Sequence, residues 1–237
     1  MIDGKGLNHG SITEIIRGNY NLMKILILGG TGFLGRDFTS LLPRNYDITL
    51  VNRGITNPNL FTDVKTIIID RKKITDAYVK STFLADVYDV VIDFSCYELS
   101  TLRPFINNIN FKRYIFISTQ AALTTSEALR PLKLSNLGMY QYITRKKECE
   151  TYIRETFKNN VIVLQPGAIV GKHDNTNRFA QGRDGKFYWT CDQGTWGKTG
   201  ELASGVYVRD CSFAILEHID VEPVSTKFIK ILDTRFQ

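Results

Sequence analysis

Two groups of residues in this chain have types and spacing that can do chemistry. The first is Gly29-Gly30-Thr31-Gly32-Phe33-Leu34-Gly35, which contains G-x-G-x-x-G as Gly30, Gly32 and Gly35. It follows an apolar run and opens a helix-length segment. In that setting the first glycine permits a tight turn, the second lets backbone approach a pyrophosphate, and the third allows close helix–strand packing. The free N–H groups and positive dipole end of the following helix would face the phosphates. Gly35 is followed by Arg36-Asp37, so the lysine and hydroxyl of a nucleoside triphosphate loop are missing and ATPase chemistry is excluded.

The second group is Tyr142 and Lys146, four residues apart on a predicted helix and therefore on one face. A phenol with a pKa of about 10 is a poor base at neutral pH. A neighbouring ammonium and a cationic nicotinamide would stabilise the phenolate and lower that pKa. The tyrosine would then exchange a proton with a substrate hydroxyl or carbonyl while hydride moves to or from the cofactor. Thr119, at the end of the fifth predicted strand, supplies a hydroxyl to orient that oxygen.

These groups need a scaffold, and the pattern supplies one. Short apolar runs alternate with helix-length segments, as in a doubly wound parallel sheet covered on both faces. Strands are expected at Lys24 to Leu28, Asp47 to Val51, Val64 to Ile69, Asp89 to Asp93, Arg113 to Ser118 and Val161 to Leu164. Short late strands at Gly205 to Val208 and Lys227 to Leu232 flank a helix at Cys211 to His218. A long helix runs from Met139 to Phe157 and carries the tyrosine–lysine pair. Residues 1–22 read as a flexible extension, 23–171 as the dinucleotide-binding domain, and 172–237 as a lid loop with a reduced substrate region returning to the sheet.

The second strand ends Val51-Asn52-Arg53-Gly54, where NAD-binding folds usually carry an acid for the ribose hydroxyls. Arg53, with Arg36 beside it, suits a 2′-phosphate, so NADP is expected over NAD. Asp70-Arg71, after the third strand, stands where an adenine would lie. Ser95, after the fourth strand, is counted with the cofactor-binding residues, as is Lys146. Cys96 and Tyr97 in the same turn either touch the cofactor or pack. Trp189 and Trp196 either stack on a substrate ring or pin the long loop to the core, and His173 is a candidate contact for a substrate phosphate.

Composition narrows the function classes. The 237 residues are 43% hydrophobic and 23% charged, an ordinary globular mix. Four cysteines without C-x-x-C spacing and three scattered histidines argue against a disulfide framework or a metal site, and point to a reducing, cytoplasmic setting. The net charge of +6 is concentrated around residues 112–158, but no basic block is interleaved with aromatics in the way nucleic acid favours. No apolar run has the roughly 18 residues of a membrane span.

Taken in order, these pieces resemble the short-chain dehydrogenase/reductase superfamily, in its NAD-dependent epimerase/dehydratase branch of extended or atypical type. The resemblance rests on Lys24 to Gly35, Val51-Asn52-Arg53-Gly54, Asp89 to Asp93, Phe116-Ile117-Ser118-Thr119 and Tyr142 to Glu150. Gln165-Pro166-Gly167, His173 to Phe179 and Val208-Arg209-Asp210 continue it. It implies a Rossmann-type sheet, Tyr142 as catalytic acid/base, Lys146 as its electrostatic partner and Thr119 as the orienting hydroxyl. It also implies a small-molecule substrate, often a nucleotide sugar, and a homodimer formed through helices. Gln165 departs from the arginine found in many relatives, and little chain follows Asp210. That shortness and the basic balance favour a second reading, a non-catalytic NAD(P)-binding sensor or interaction protein, including an RNA-associated one.

Overall fold

The computed structural model describes residues 22–43, 45–174, 176–190, 198–202, 205–220 and 225–231. The expectations for residues 1–21, Trp196 and Leu232 lie outside these. Seven strands form one parallel sheet: β1 (Lys24–Leu28), β2 (Asp47–Asn52), β3 (Lys65–Ile68), β4 (Val87–Asp93), β5 (Asn110–Ile117), β6 (Val161–Pro166) and β11 (Lys227–Ile231). Their spatial order is β11-β6-β5-β4-β1-β2-β3, so the winding reverses between β1 and β4. In open α/β sheets the crevice beyond the carboxyl ends at that reversal is where ligands bind.

Period-two alternation divides the apolar residues between two layers. Leu26, Leu28, Val91, Tyr114, Phe116 and Val163 face α2 (Asp76–Phe83), α3 (Leu99–Asn108) and α5 (Leu137–Thr156). Ile25, Ile27, Leu50, Ile92, Ile115 and Leu164 face α1 (Phe33–Leu41) and α6 (Val208–Leu216). Ile25 through Leu28 are fully buried. At about 1.5–3 kcal/mol for each buried aliphatic chain, this central strand holds both layers together.

The differences from the sequence reading are local. The last helix begins at Val208, not Cys211, because it leaves β10 (Gly205–Tyr207) without an intervening turn. The segment between β5 and α5 holds a helix that the pattern did not suggest, α4 (Ser126–Ser135), capped by Thr125 Oγ1 accepting from the Ala128 amide. The stretch from Lys172 to Ser204, read as loop, contains an antiparallel hairpin of β8 (Phe179–Gln181) and β9 (Phe187–Trp189). Gly185, at φ +80°, turns it. Trp189 packs on Val170 of β7 (Ala168–Val170) and on Phe179, with ring centroids 4.4 Å apart, so it pins this segment down.

Two buried phenols set an alkaline limit. Burial first, and then the charge of Asp93, holds the Tyr114 pKa well above the ordinary tyrosine value. Burial and Asp86 do the same for Tyr88. In the unfolded chain both ionise at about pH 10, so the native state is fully favoured below that pH and loses stability as pH rises past it. Urea midpoints should therefore hold between neutrality and pH 9 and fall above 10. An unchanged midpoint at pH 11 would contradict the burial of these two hydroxyls.

Candidate functional site

The glycine turn is built by close contacts. A Cβ on Gly35 would lie 2.2 Å from the Gly29 carbonyl oxygen, so the start of α1 sits directly on the end of β1. Gly29 has φ +90°, and a Cβ there would meet Ser95 Cβ at 2.7 Å, which brings the β1 and β4 turns together. Gly32 is different: the nearest atom to its Cβ position is 3.7 Å away, leaving an open face. It is also the cap of α1 and makes no side-chain capping bond, so the first amides of the helix are offered outward. Thr31 and Leu34 are both buried, which limits them to backbone contacts with a ligand. Phe33 is half-buried.

Beyond β2, Asn52 is 9% exposed and neither its Nδ2 nor its Oδ1 has a hydrogen-bond partner. An unpaired buried amide is costly unless a ligand completes it. Arg53 is exposed beside it, and Asn57 Nδ2 donates to the Thr31 carbonyl at 3.1 Å, folding the post-β2 loop toward the glycine turn. An uncapped turn, an open Gly32 face and an orphaned amide at the second strand fit a dinucleotide.

Asp70 and Arg71 are both held by partners within the protein. Asp70 Oδ1 caps the short 3-10 turn Arg71–Lys73 by accepting from the Lys72 amide at 3.1 Å. Arg71, expected near the adenine, is instead turned inward. Its Nη1 and Nη2 donate to Asp93 at 2.5 and 2.8 Å, Nη1 to Ser95 Oγ at 3.0 Å, and Nη2 to the Thr101 carbonyl at 2.7 Å. The guanidinium stacks 4.6 Å from the Phe105 ring. A buried carboxylate must be paired, and that requirement draws Arg71 away from the ligand crevice. Its role is to hold Ser95 in place.

Thr119 and Tyr142 come together: the threonine hydroxyl is near enough to act on the phenol's pKa, and the Tyr97 and Tyr142 ring centroids are 6.1 Å apart. Lys146 lies one turn further along the same helix. It is 3% exposed, and its Nζ donates to the carbonyls of Cys96 at 2.6 Å and Ile117 at 2.7 Å. The Tyr142 pKa is raised, not lowered: burial pushes it up, against the Thr119 hydrogen bond and the charge of Arg178. Cys96 is fully buried and packs, whereas Tyr97 is exposed at the site mouth.

Behind this pair, Glu150 is buried and accepts from Ser118 Oγ at 2.5 Å and from Gln165 Nε2 at 2.9 Å on both oxygens. The network ties the ends of β5 and β6 to α5 through neutral donors, where an arginine would have made an ion pair. A separate cavity of about 550 Å³ lies on the outer side of α1, bounded by Arg36, Lys172, His173, Arg209, Phe61 and Phe187. Neither Thr119 nor Tyr142 lines it. Desolvation, then Arg36 and Lys172, hold the His173 pKa below the usual histidine range. Among the described residues no group of His, Cys, Asp or Glu could hold a metal ion, and no helix is long and apolar enough to cross a membrane.

The sequence reading missed Asp93 and Glu150 as residues that hold the site together. Asp93 had one available signal, an acid closing an otherwise apolar strand.

No protein-family model and no curated protein matches this sequence. Solved structures do match it. The oxidoreductase ylbE from Lactococcus lactis is 20% identical, with a TM-score of 0.53 over 82% of this chain and 84% of that one. A wide-type short-chain dehydrogenase/reductase from Veillonella parvula, solved with NADP, is 16% identical, with a TM-score of 0.54 over 82% and 85%. A UDP-N-acetylglucosamine 4-epimerase from Methanobrevibacter ruminantium is 16% identical, with a TM-score of 0.57 over 89% and 76%. The likeness is one of fold: this chain has the Rossmann-type fold of short-chain dehydrogenase/reductase and epimerase structures.

The glycine contacts make a paired prediction. Gly35→Ala forces α1 off the Gly29 carbonyl and should cost about 1–3 kcal/mol of stability in urea denaturation. Gly32→Ala should leave stability nearly unchanged and weaken dinucleotide binding instead, measured by titration. Equal effects of the two substitutions on stability would contradict the open Gly32 face.

Proposed function

We propose that this protein is an NAD(P)-dependent oxidoreductase or epimerase/dehydratase of the short-chain dehydrogenase/reductase type, with NADP preferred. Its substrate is a small molecule bearing a carbonyl or hydroxyl group. The observation that carries the reading is the uncapped glycine turn together with the unpartnered Asn52 amide, in the same molecule as the neighbouring Thr119 and Tyr142. The fold shared with an NADP-bound reductase supports it.

In this reading the backbone amides from Thr31 to Gly35 hold the pyrophosphate, Asn52 completes its hydrogen bonds on the adenosine side, and Arg53 meets the 2′-phosphate. The bound nicotinamide supplies or accepts the hydride. Tyr142 Oη exchanges a proton with the substrate oxygen, and the Thr119 hydroxyl donates to whichever oxygen carries negative charge. Lys146 clamps the Cys96 turn to the end of β5, which fixes where Tyr97 and Thr119 stand.

Two measurements test this. NADPH oxidation across a panel of carbonyl and nucleotide-sugar substrates should reveal turnover that Tyr142→Phe lowers by about 10²–10⁴-fold. Retained turnover in that variant would remove Tyr142 from the mechanism. Arg53→Ala should weaken NADPH binding about tenfold, the loss of one charge-assisted phosphate contact, and leave NADH binding unchanged.

A further inference from the structure

The cavity of about 550 Å³ beside α1 has no part in the reading of the glycine turn or of Tyr142. It is lined by none of Thr31 to Gly35, nor by Asn52, Arg53, Thr119 or Tyr142. Its volume is within the range of roughly 300–1,000 Å³ that takes a small molecule. Five stretches of chain wall it: α1, the loop after β2, the turn after β7, the β8–β9 hairpin and the junction of β10 with α6.

Those walls are fastened to one another. Arg209 Nη2 meets Asp37 Oδ1 at 3.1 Å, which joins α6 to α1. A Cβ on Gly171 would lie 2.7 Å from Val208 Cγ1, so the turn after β7 is pressed against the start of α6. The Phe187 and Tyr207 rings meet edge-on with centroids 5.6 Å apart, which seats the hairpin on β10.

The lining has two chemistries. Arg36, Lys172 and Arg209 bring positive charge, and only Asp37 is acidic. Arg209 is already paired with Asp37, so the excess belongs to Arg36 and Lys172. Neither of these forms an ion pair among the described residues. Both act on His173, which lines the same cavity, and favour its neutral form. Two like charges on the walls of one cavity repel, and a dianion placed between them removes that cost. Phe61 and Phe187, each half-buried, add ring surface for a flat group. Arg36, which sequence order sets beside Arg53, lines this cavity, and Arg53 does not.

We propose that this cavity is a second ligand site, separate from the dinucleotide turn, for an aromatic phosphate monoester of the nucleoside monophosphate kind. The phosphate sits between Arg36 and Lys172, and the ring lies against Phe61 and Phe187. The site is independent of the oxidoreductase reading, because none of the residues assigned to hydride or proton transfer lines it.

The test is calorimetric titration of the full chain with AMP, UMP, adenosine and inorganic phosphate. Saturable binding of at least one nucleotide is expected, tighter than that of adenosine or of inorganic phosphate, and it should persist when NADPH is present at saturation. Lys172→Gln should weaken it about tenfold, the loss of one charge-assisted phosphate contact. Phe187→Leu should weaken it about fivefold or more, the loss of a stacking face. Lys172 is exposed, so its variant should keep the wild-type urea midpoint. Absence of saturable nucleotide binding overturns the proposal, as does displacement of the nucleotide by NADPH or an affinity unmoved by Lys172→Gln. Inorganic phosphate binding as tightly as either nucleotide overturns the aromatic half of the assignment. Should NADPH itself fail to bind, the dinucleotide reading falls separately, and the Lys172→Gln and Phe187→Leu titrations still decide this one.

Discussion

A fully buried carboxylate in a parallel sheet has to be satisfied on every lone pair, and Asp93 is that group here. It accepts from both Arg71 nitrogens, from the Tyr114 hydroxyl at 2.7 Å and from the Ser95 amide at 3.1 Å. Those donors come from the turn after β3, from β5 and from the turn after β4. One side chain thus ties together the turn after β3, the turn after β4 and the middle of β5, beside the place where the winding reverses. Removing one partner would leave an uncompensated charge, a loss of about 3–5 kcal/mol in comparable cases.

The site inherits its geometry from that constraint. Ser95, held by Asp93 and Arg71, abuts Gly29, and Gly29 in turn carries Gly35 and the start of α1. On the other side of β4, the Lys146 ammonium gathers the Cys96 and Ile117 carbonyls, so the turn bearing Tyr97 and the strand end bearing Thr119 move as one. Glu150, one turn further along α5, fastens the same helix to β5 and β6. The phosphate turn and the tyrosine are therefore parts of one rigid edge.

Much of this was legible in the residues because it is local. Gly30, Gly32 and Gly35 encode a turn by spacing alone, the β-branched runs encode strands buried on both faces, and the order of Thr119 and Tyr142 places them at one edge of the sheet. What was not legible depends on partners far apart in the chain. Arg71 is a ligand contact by position and an internal ion pair in fact, because its partner Asp93 is on another strand. Lys146 shares a helix face with Tyr142, but its partners are backbone carbonyls, which carry no residue identity. The hairpin of β8 and β9 is too short to show a period.

The central claim is that the glycine turn, the Asn52 amide and the Ser95 turn together form a dinucleotide site. It is tested most directly by equilibrium titration of the wild-type chain with NADPH and with NADH, followed by nicotinamide fluorescence. The account predicts saturable one-to-one binding of NADPH, tighter than that of NADH. Saturation by NADH with equal or higher affinity would contradict the 2′-phosphate role of Arg53 and leave the site standing. No saturable binding of either dinucleotide would contradict the site itself, and with it the reading of Tyr142.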